Sequence, residues 1–195
     1  VFEDYAGKHT AADAHNIHSG TKSFSCAIAV AASEDKLLSL DEPVAQTITE
    51  WKTDPQKSKI TLRQLLSLTS GTDAGKPKTV GTTPTYAESI KAPLLYTPGL
   101  KFQYGPFPFQ IFGEVMRRKL ASTGENPREY LTRRVLAPIG LRIASWRTTA
   151  DGLPKMSAGA FLSAREWAKY GQLILNNGQW GNKRVLDAQR LAECF

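Results

Sequence analysis

Apolar and polar positions along the 195-residue chain recur mostly at helical spacing, three and four residues apart. After Thr61, a natural N-cap, Leu62, Leu65 and Leu66 follow that rhythm and stop before Gly71. Pro108 can open a second helix, whose Phe109, Phe112, Val115, Met116 and Leu120 form one stripe ending at Gly124. Asn126-Pro127 reads as the N-cap and first position of a third, running through Tyr130, Leu131 and Val135 until Pro138 and Gly140 stop it. Ser163 and Glu166 have the form of a capping box before Trp167, Tyr170 and Ile174, and Asn177-Gly178 closes that helix. Asp187 would cap a last one. Strand signals are confined to residues 1–5, 143–148 and 183–186, and the Gly-, Thr- and Pro-rich stretch 72–84 reads as a loop.

One segment breaks the amphipathic pattern. From Phe24 to Ala32 only Ser25 is polar, so this helix should be buried on nearly every side. At its mouth stand Ser19 and Lys22, three apart and therefore neighbours on a helix surface. A helix N-terminus disfavours a cation and so does desolvation, which makes Lys22 a candidate neutral amine able to accept the Ser19 hydroxyl proton. The same helix end turns the Ser19 N–H toward an oxyanion developing on an attacked carbonyl. The plainer reading is that Ser19 caps the helix and Lys22 reaches out to water. Spacing alone does not decide, because a second Ser-x-x-Lys, Ser33 to Lys36, lies in a charged, solvated stretch at the far end of the same run. It serves as an internal control.

Composition narrows the classes further. With 41% hydrophobic and 22% charged residues the chain can bury one sizeable core. The net charge of +7 is scattered, and its densest pairs, Arg117-Arg118 and Arg133-Arg134, fall on predicted helices. That describes solvated faces, not a nucleic-acid stripe, so no nucleic-acid partner is expected. No apolar run approaches the roughly 18 to 20 residues of a membrane span. Two cysteines make no disulfide framework; Cys26, inside the apolar run, and Cys194, next to last, read as buried or incidental thiols. His15 and His18 could share a helical face as metal ligands, but no third ligand falls at useful spacing, and they more naturally line the approach to Ser19. Both ends look cut, residues 1–5 reading as the tail of a strand and 187–195 as the opening turns of a helix.

Five blocks in order carry a family resemblance: "SGTKSF", "KLLSLDEPV", "ITLRQLLSLTSGT", "YTPGLKFQYGPFPFQIFGEVM" and "AGAFLSAREWAKYGQLILNNGQW". Together they resemble the serine β-lactamase and penicillin-binding-protein superfamily, in particular the class C β-lactamase-like esterases and D-alanyl-D-alanine peptidases. The resemblance implies an α/β (α+β) fold, an antiparallel sheet flanked by helices plus a helical subdomain. That subdomain would occupy about 38–158 of a single unit, 1–195, truncated at both ends and mainly helical because much of the sheet is missing. It implies Ser19 as acylated nucleophile, Lys22 as its base and Tyr104 as the tyrosine that relays a proton to the leaving group. It also implies no metal or organic cofactor, a small-molecule or peptide substrate and a periplasmic or secreted setting. Two departures stand out. Tyr104 is followed by Gly105-Pro106 where the family has Ser-Asn, which puts β-lactam hydrolysis in doubt more than ester turnover, and the family's third motif would lie beyond Phe195. The expectation is a serine acyl hydrolase; the rival is a non-catalytic relative that binds without turnover.

Overall fold

A computed structural model describes residues 2–75 and 83–194. Helix α1 (Phe24–Glu34) is its axis: every residue from Phe24 to Ala32 except Cys26 is buried, as an all-apolar run requires. A six-residue 3-10 turn, His18–Ser23, leads directly into it. The other helices are α2 (Leu62–Leu66), α3 (Tyr86–Ile90), α4 (Phe107–Lys119), α5 (Pro127–Leu131), α6 (Ala164–Leu175) and α7 (Ala188–Ala192); α5 and α7 pack on α1, and α2 and α3 on α4. Most starts follow from the caps in the sequence. Thr61 and Gln64 close a reciprocal capping box on α2, Asn126 and Glu129 close one on α5, and Asp187 accepts from the Arg190 N–H at the head of α7. After α5 the chain continues through a π turn, Thr132–Leu136, and a 3-10 turn, Ala137–Ile139, until Gly140 at φ 64° ends it.

The sheet is small. β1 (His15–Asn16), β2 (Ser145–Trp146) and β3 (Ala160–Leu162) pair antiparallel in the order β1-β3-β2, with His15 opposite Leu162 and Trp146 opposite Ala160. β4 (Gln179–Trp180) and β5 (Lys183–Arg184) form a separate hairpin. Phe24, at the head of α1, joins the layers. Its ring lies 5.8 Å from Trp146, 5.6 Å from Trp167 and 4.8 Å from Tyr170, and the Tyr170 hydroxyl donates to the Ser23 carbonyl at 2.8 Å.

Several expectations are corrected. Residues 2–5 form no strand; the Glu3 carboxylate instead pairs with Arg165 at 2.9 Å, a side-chain contact across 162 residues of sequence. The Ser163 box is one-sided: Ser163 Oγ accepts from the Glu166 N–H, but the Glu166 carboxylate accepts from the Arg142 N–H at 2.7 Å and from Lys169 Nζ at 2.8 Å. Cys26 and Cys194 are not free thiols but a disulfide, since α7 lies against the one face of α1 left partly open and brings the two Cα atoms to 6.0 Å. The 72–84 loop lies partly outside the described residues.

Candidate active site

The turn bearing Ser19 is strapped to the sheet. The Ile17 N–H donates to the Ala160 carbonyl, and the Ala160 N–H donates to Thr21 Oγ1, each at 3.1 Å, so the fully buried Thr21 side chain pins the turn to β3. His18, just before Ser19, has φ 47°, a left-handed backbone costly for a side chain of this kind and held by its N–H bond to Asn16 Oδ1 at 2.9 Å. The capping positions of this turn and of α1 are Ile17 and Ser23, neither with a side-chain cap. Ser19 therefore does not cap the helix, and its hydroxyl is exposed and directed to Lys22.

Lys22 Nζ lies 3.0 Å from Ser19 Oγ and donates to the Ser157 carbonyl at 2.7 Å. Rather than reaching to solvent, the amine is tied between α1 and the segment before β3. It sits 4.9 Å from the centre of the Tyr104 ring and 5.6 Å from that of Phe109. Ser19, Lys22 and Tyr104, far apart in sequence, thus meet at one point. Tyr104 is 58% exposed. Burial of its phenol pushes against ionisation, but polar interactions with Ser19 and Lys22 and the Lys22 charge outweigh that and hold it below the ordinary tyrosine value.

The loop that delivers Tyr104 has no room for a larger neighbour. A Cβ on Gly105 would come within 2.0 Å of the Ala74 carbonyl oxygen, which also accepts from the Phe107 N–H at 3.0 Å. Gly105 is thus dictated by close backbone approach. Beside the three side chains opens a cavity of about 340 Å³, walled by the Cys26–Cys194 disulfide and by Ala29, Val30, Leu66 and Phe109.

The two histidines part company. His15 lies in β1 and packs edge-on against His9 at 4.9 Å, while His18 opens the turn, so they do not share a helical face. Among the described residues no three His, Cys, Asp or Glu side chains gather to hold a metal. Sequence reasoning missed the Ser157 carbonyl. A backbone acceptor leaves no side-chain signature, and the run Ser157 to Gly159 shows only small residues. It also read Phe109 as core stripe alone, although its ring faces the lysine.

The Beta-lactamase family model matches residues 1–192. The chain belongs to the beta-lactamase family. Its fold is that of the β-lactamase and penicillin-binding-protein superfamily, helix-rich with a small antiparallel sheet. A Bacteroides dorei protein provisionally named a beta-lactamase superposes with TM-score 0.82 at 26% identity, over 98% of this chain and 59% of its own. A Bacillus anthracis protein provisionally named a 6-aminohexanoate-dimer hydrolase gives 0.80 at 23% identity, over 98% of this chain and 55% of its own. The D-amino acid amidase of Ochrobactrum anthropi gives 0.73 at 20% identity, over 96% of this chain and 61% of its own. No protein of curated function matches the sequence. The chain thus spans well under two thirds of the length of these family structures.

Proposed function

We propose that this chain carries the nucleophile, base and proton relay of a serine acyl hydrolase. Lys22, as the free amine, takes the Ser19 hydroxyl proton; Ser19 Oγ attacks an ester or amide carbonyl, and the bond to the leaving group breaks. Tyr104 gives its phenolic proton to the departing oxygen or nitrogen and recovers one from the Lys22 ammonium, so the serine proton ends on the leaving group. Water then attacks the acyl-enzyme, releases the acid and returns the proton to Ser19. The Ser19 N–H, at the start of the turn, offers one donor to the tetrahedral oxyanion.

The observation that carries this reading is the 3.0 Å approach of Lys22 Nζ to Ser19 Oγ, with the amine anchored from behind by the Ser157 carbonyl. The charge Lys22 carries once it has taken the serine proton helps hold Tyr104 below its usual ionisation range, which matches the phenol to proton transfer at that stage. A carboxylic ester is the favoured substrate, with D-alanyl peptide and β-lactam amides as the alternatives. Pro106 brings no side-chain hydrogen bond to a substrate amide, and an ester asks for less proton delivery to its leaving group. The names of the Bacillus and Ochrobactrum relatives, a 6-aminohexanoate-dimer hydrolase and a D-amino acid amidase, support hydrolysis in general. The Cys26–Cys194 disulfide supports an oxidising compartment.

Intact protein incubated with a fluorophosphonate or a fluorescent penicillin, followed by mass mapping of the adduct, tests the proposal. The expected result is a label on Ser19 that vanishes in Ser19→Ala and forms more slowly in Lys22→Ala. A folded full-length protein that takes no label would instead be a binding relative without turnover.

A further inference from the structure

We infer that Gln110, a fully buried glutamine in the second turn of α4, is the positioning residue that sets Lys22 against Ser19 and Tyr104. This rests on the hydrolase reading above. An apolar side chain would be the ordinary choice at zero exposure between the buried Phe109 and Ile111, yet a polar one sits there. Its Oε1 accepts from the Met156 N–H at 2.8 Å, and its Nε2 donates to the Pro84 carbonyl at 2.9 Å. Both ends of the amide are occupied, which fixes its orientation.

What it holds matters more than that it is held. Met156 is followed by Ser157, whose carbonyl receives the Lys22 amine at 2.7 Å. The segment has other ties, the Tyr86 hydroxyl donating to the Pro154 carbonyl at 2.8 Å and the Trp146 indole to the Lys155 carbonyl at 3.0 Å. Those grip residues farther from the acceptor; Gln110 grips the residue beside it. The same helix begins directly after Tyr104-Gly105-Pro106, so α4 carries the phenol at its head and, six residues on, the amide that places the lysine's acceptor. One rigid element thereby sets both partners of the 4.9 Å Lys22–Tyr104 approach. The sequence showed Gln110 only as one polar residue beside an apolar stripe.

Gln110→Met keeps the side chain's length and bulk and deletes both hydrogen bonds. The expected kcat loss is about 10- to 100-fold, the scale of a misplacement of roughly 1 Å, with KM changed less. The decisive readout needs no substrate: the ionisation of Tyr104, followed by tyrosinate absorbance as the difference from a matched Tyr104→Phe protein. Ser19 and Lys22 together lower that phenol, Lys22 by hydrogen bonding as well as charge, so when the amine drifts, the Tyr104 transition should move part of the way up toward the ordinary tyrosine value. Tyr86→Phe, which loses a tie on the same segment, should lower the melting temperature and leave that transition in place. An unmoved Tyr104 transition in folded Gln110→Met overturns the inference, whatever the labelling of Ser19 says about the hydrolase reading. Should Gln110→Met not fold, Gln110→Glu decides. It still accepts from the Met156 N–H and should keep the wild-type transition; a displaced transition, or failure of both variants to fold, makes Gln110 an ordinary core residue.

Discussion

Helix α1 carries a Ser-x-x-Lys at each end, and the two have opposite fates. At the N-terminal end Ser19 is exposed and Lys22 half-buried, and the amine is drawn inward by the Ser157 carbonyl until it meets the hydroxyl. At the C-terminal end Arg190 donates to Ser33 Oγ, Arg134 forks onto Asp35 at 2.8 Å, and Lys36 turns outward at φ 58°. The spacing is identical, so spacing is not what makes a site. The first pair has a backbone acceptor behind the lysine and, among the described residues, no carboxylate bonded to it; in the second, Arg190 occupies the serine hydroxyl and Lys36 is left exposed, as at a solvated helix end. The sharpest way to break this contrast is to remove each lysine. Lys22→Ala should lower the rate of Ser19 acylation by about 10²- to 10⁴-fold, the usual worth of a positioned base, while Lys36→Ala should leave it within about twofold. Equal losses from the two variants, measured by stopped-flow labelling, would show that the lysines act only through general charge.

A second contrast runs around the helix instead of along it. Cys26 is the one residue of the Phe24–Ala32 run that is not buried, and there the protein places a covalent tie to Cys194. The bridge spans 168 residues of sequence. Removing a native disulfide typically costs about 2–5 kcal/mol, and the chain-entropy account puts so long a loop at the upper end. Cys194→Ser should therefore lower the unfolding free energy by that amount and steepen its dependence on denaturant, because the unlinked unfolded chain exposes more surface, and dithiothreitol should reproduce the effect on the unsubstituted protein but not on the variant. A variant as stable as its parent would mean that packing of α7, not the bridge, closes this side of α1.

Much of this was legible in the chain. Caps at Thr61, Asn126 and Asp187 specify their helices because a side-chain oxygen answers orphan N–H groups locally, and local chemistry is what one sequence displays. The burial of α1 followed from its lack of a polar face. Ser19, Lys22 and Tyr104 could be named as separate residues, but their meeting could not be read from spacing, since Tyr104 arrives through the close approach of Gly105 to Ala74. β1 and β3 went unseen because two- and three-residue strands show no alternation, and the disulfide went unseen because it depends on where α7 docks. The Ser157 carbonyl and the reach of Gln110 are long-range bonds to backbone atoms, to which no residue type corresponds.

The smallest effect tests the C-terminal end of α1. Burial pushes the Asp35 carboxyl up, but the Arg134 guanidinium and the Tyr130 hydroxyl, both donating to it, outweigh that and leave it below the ordinary aspartate value. A carboxyl whose folded value is depressed stabilises the protein at pH above its unfolded value, near 3.8, and loses that contribution as the pH falls through the folded value below it. The pair is partly open to solvent, so the contribution is about 0.5–1 kcal/mol. Asp35→Asn, which keeps an oxygen for Tyr130, should lower the unfolding free energy measured in urea by that much at pH 7 and by a smaller amount at pH 3, without altering Ser19 labelling at either pH. A deficit of the same size at both pH values would assign the role of Asp35 to hydrogen bonding alone. The far end of the helix would then be held by the same kind of contact as the near end, instead of by charge.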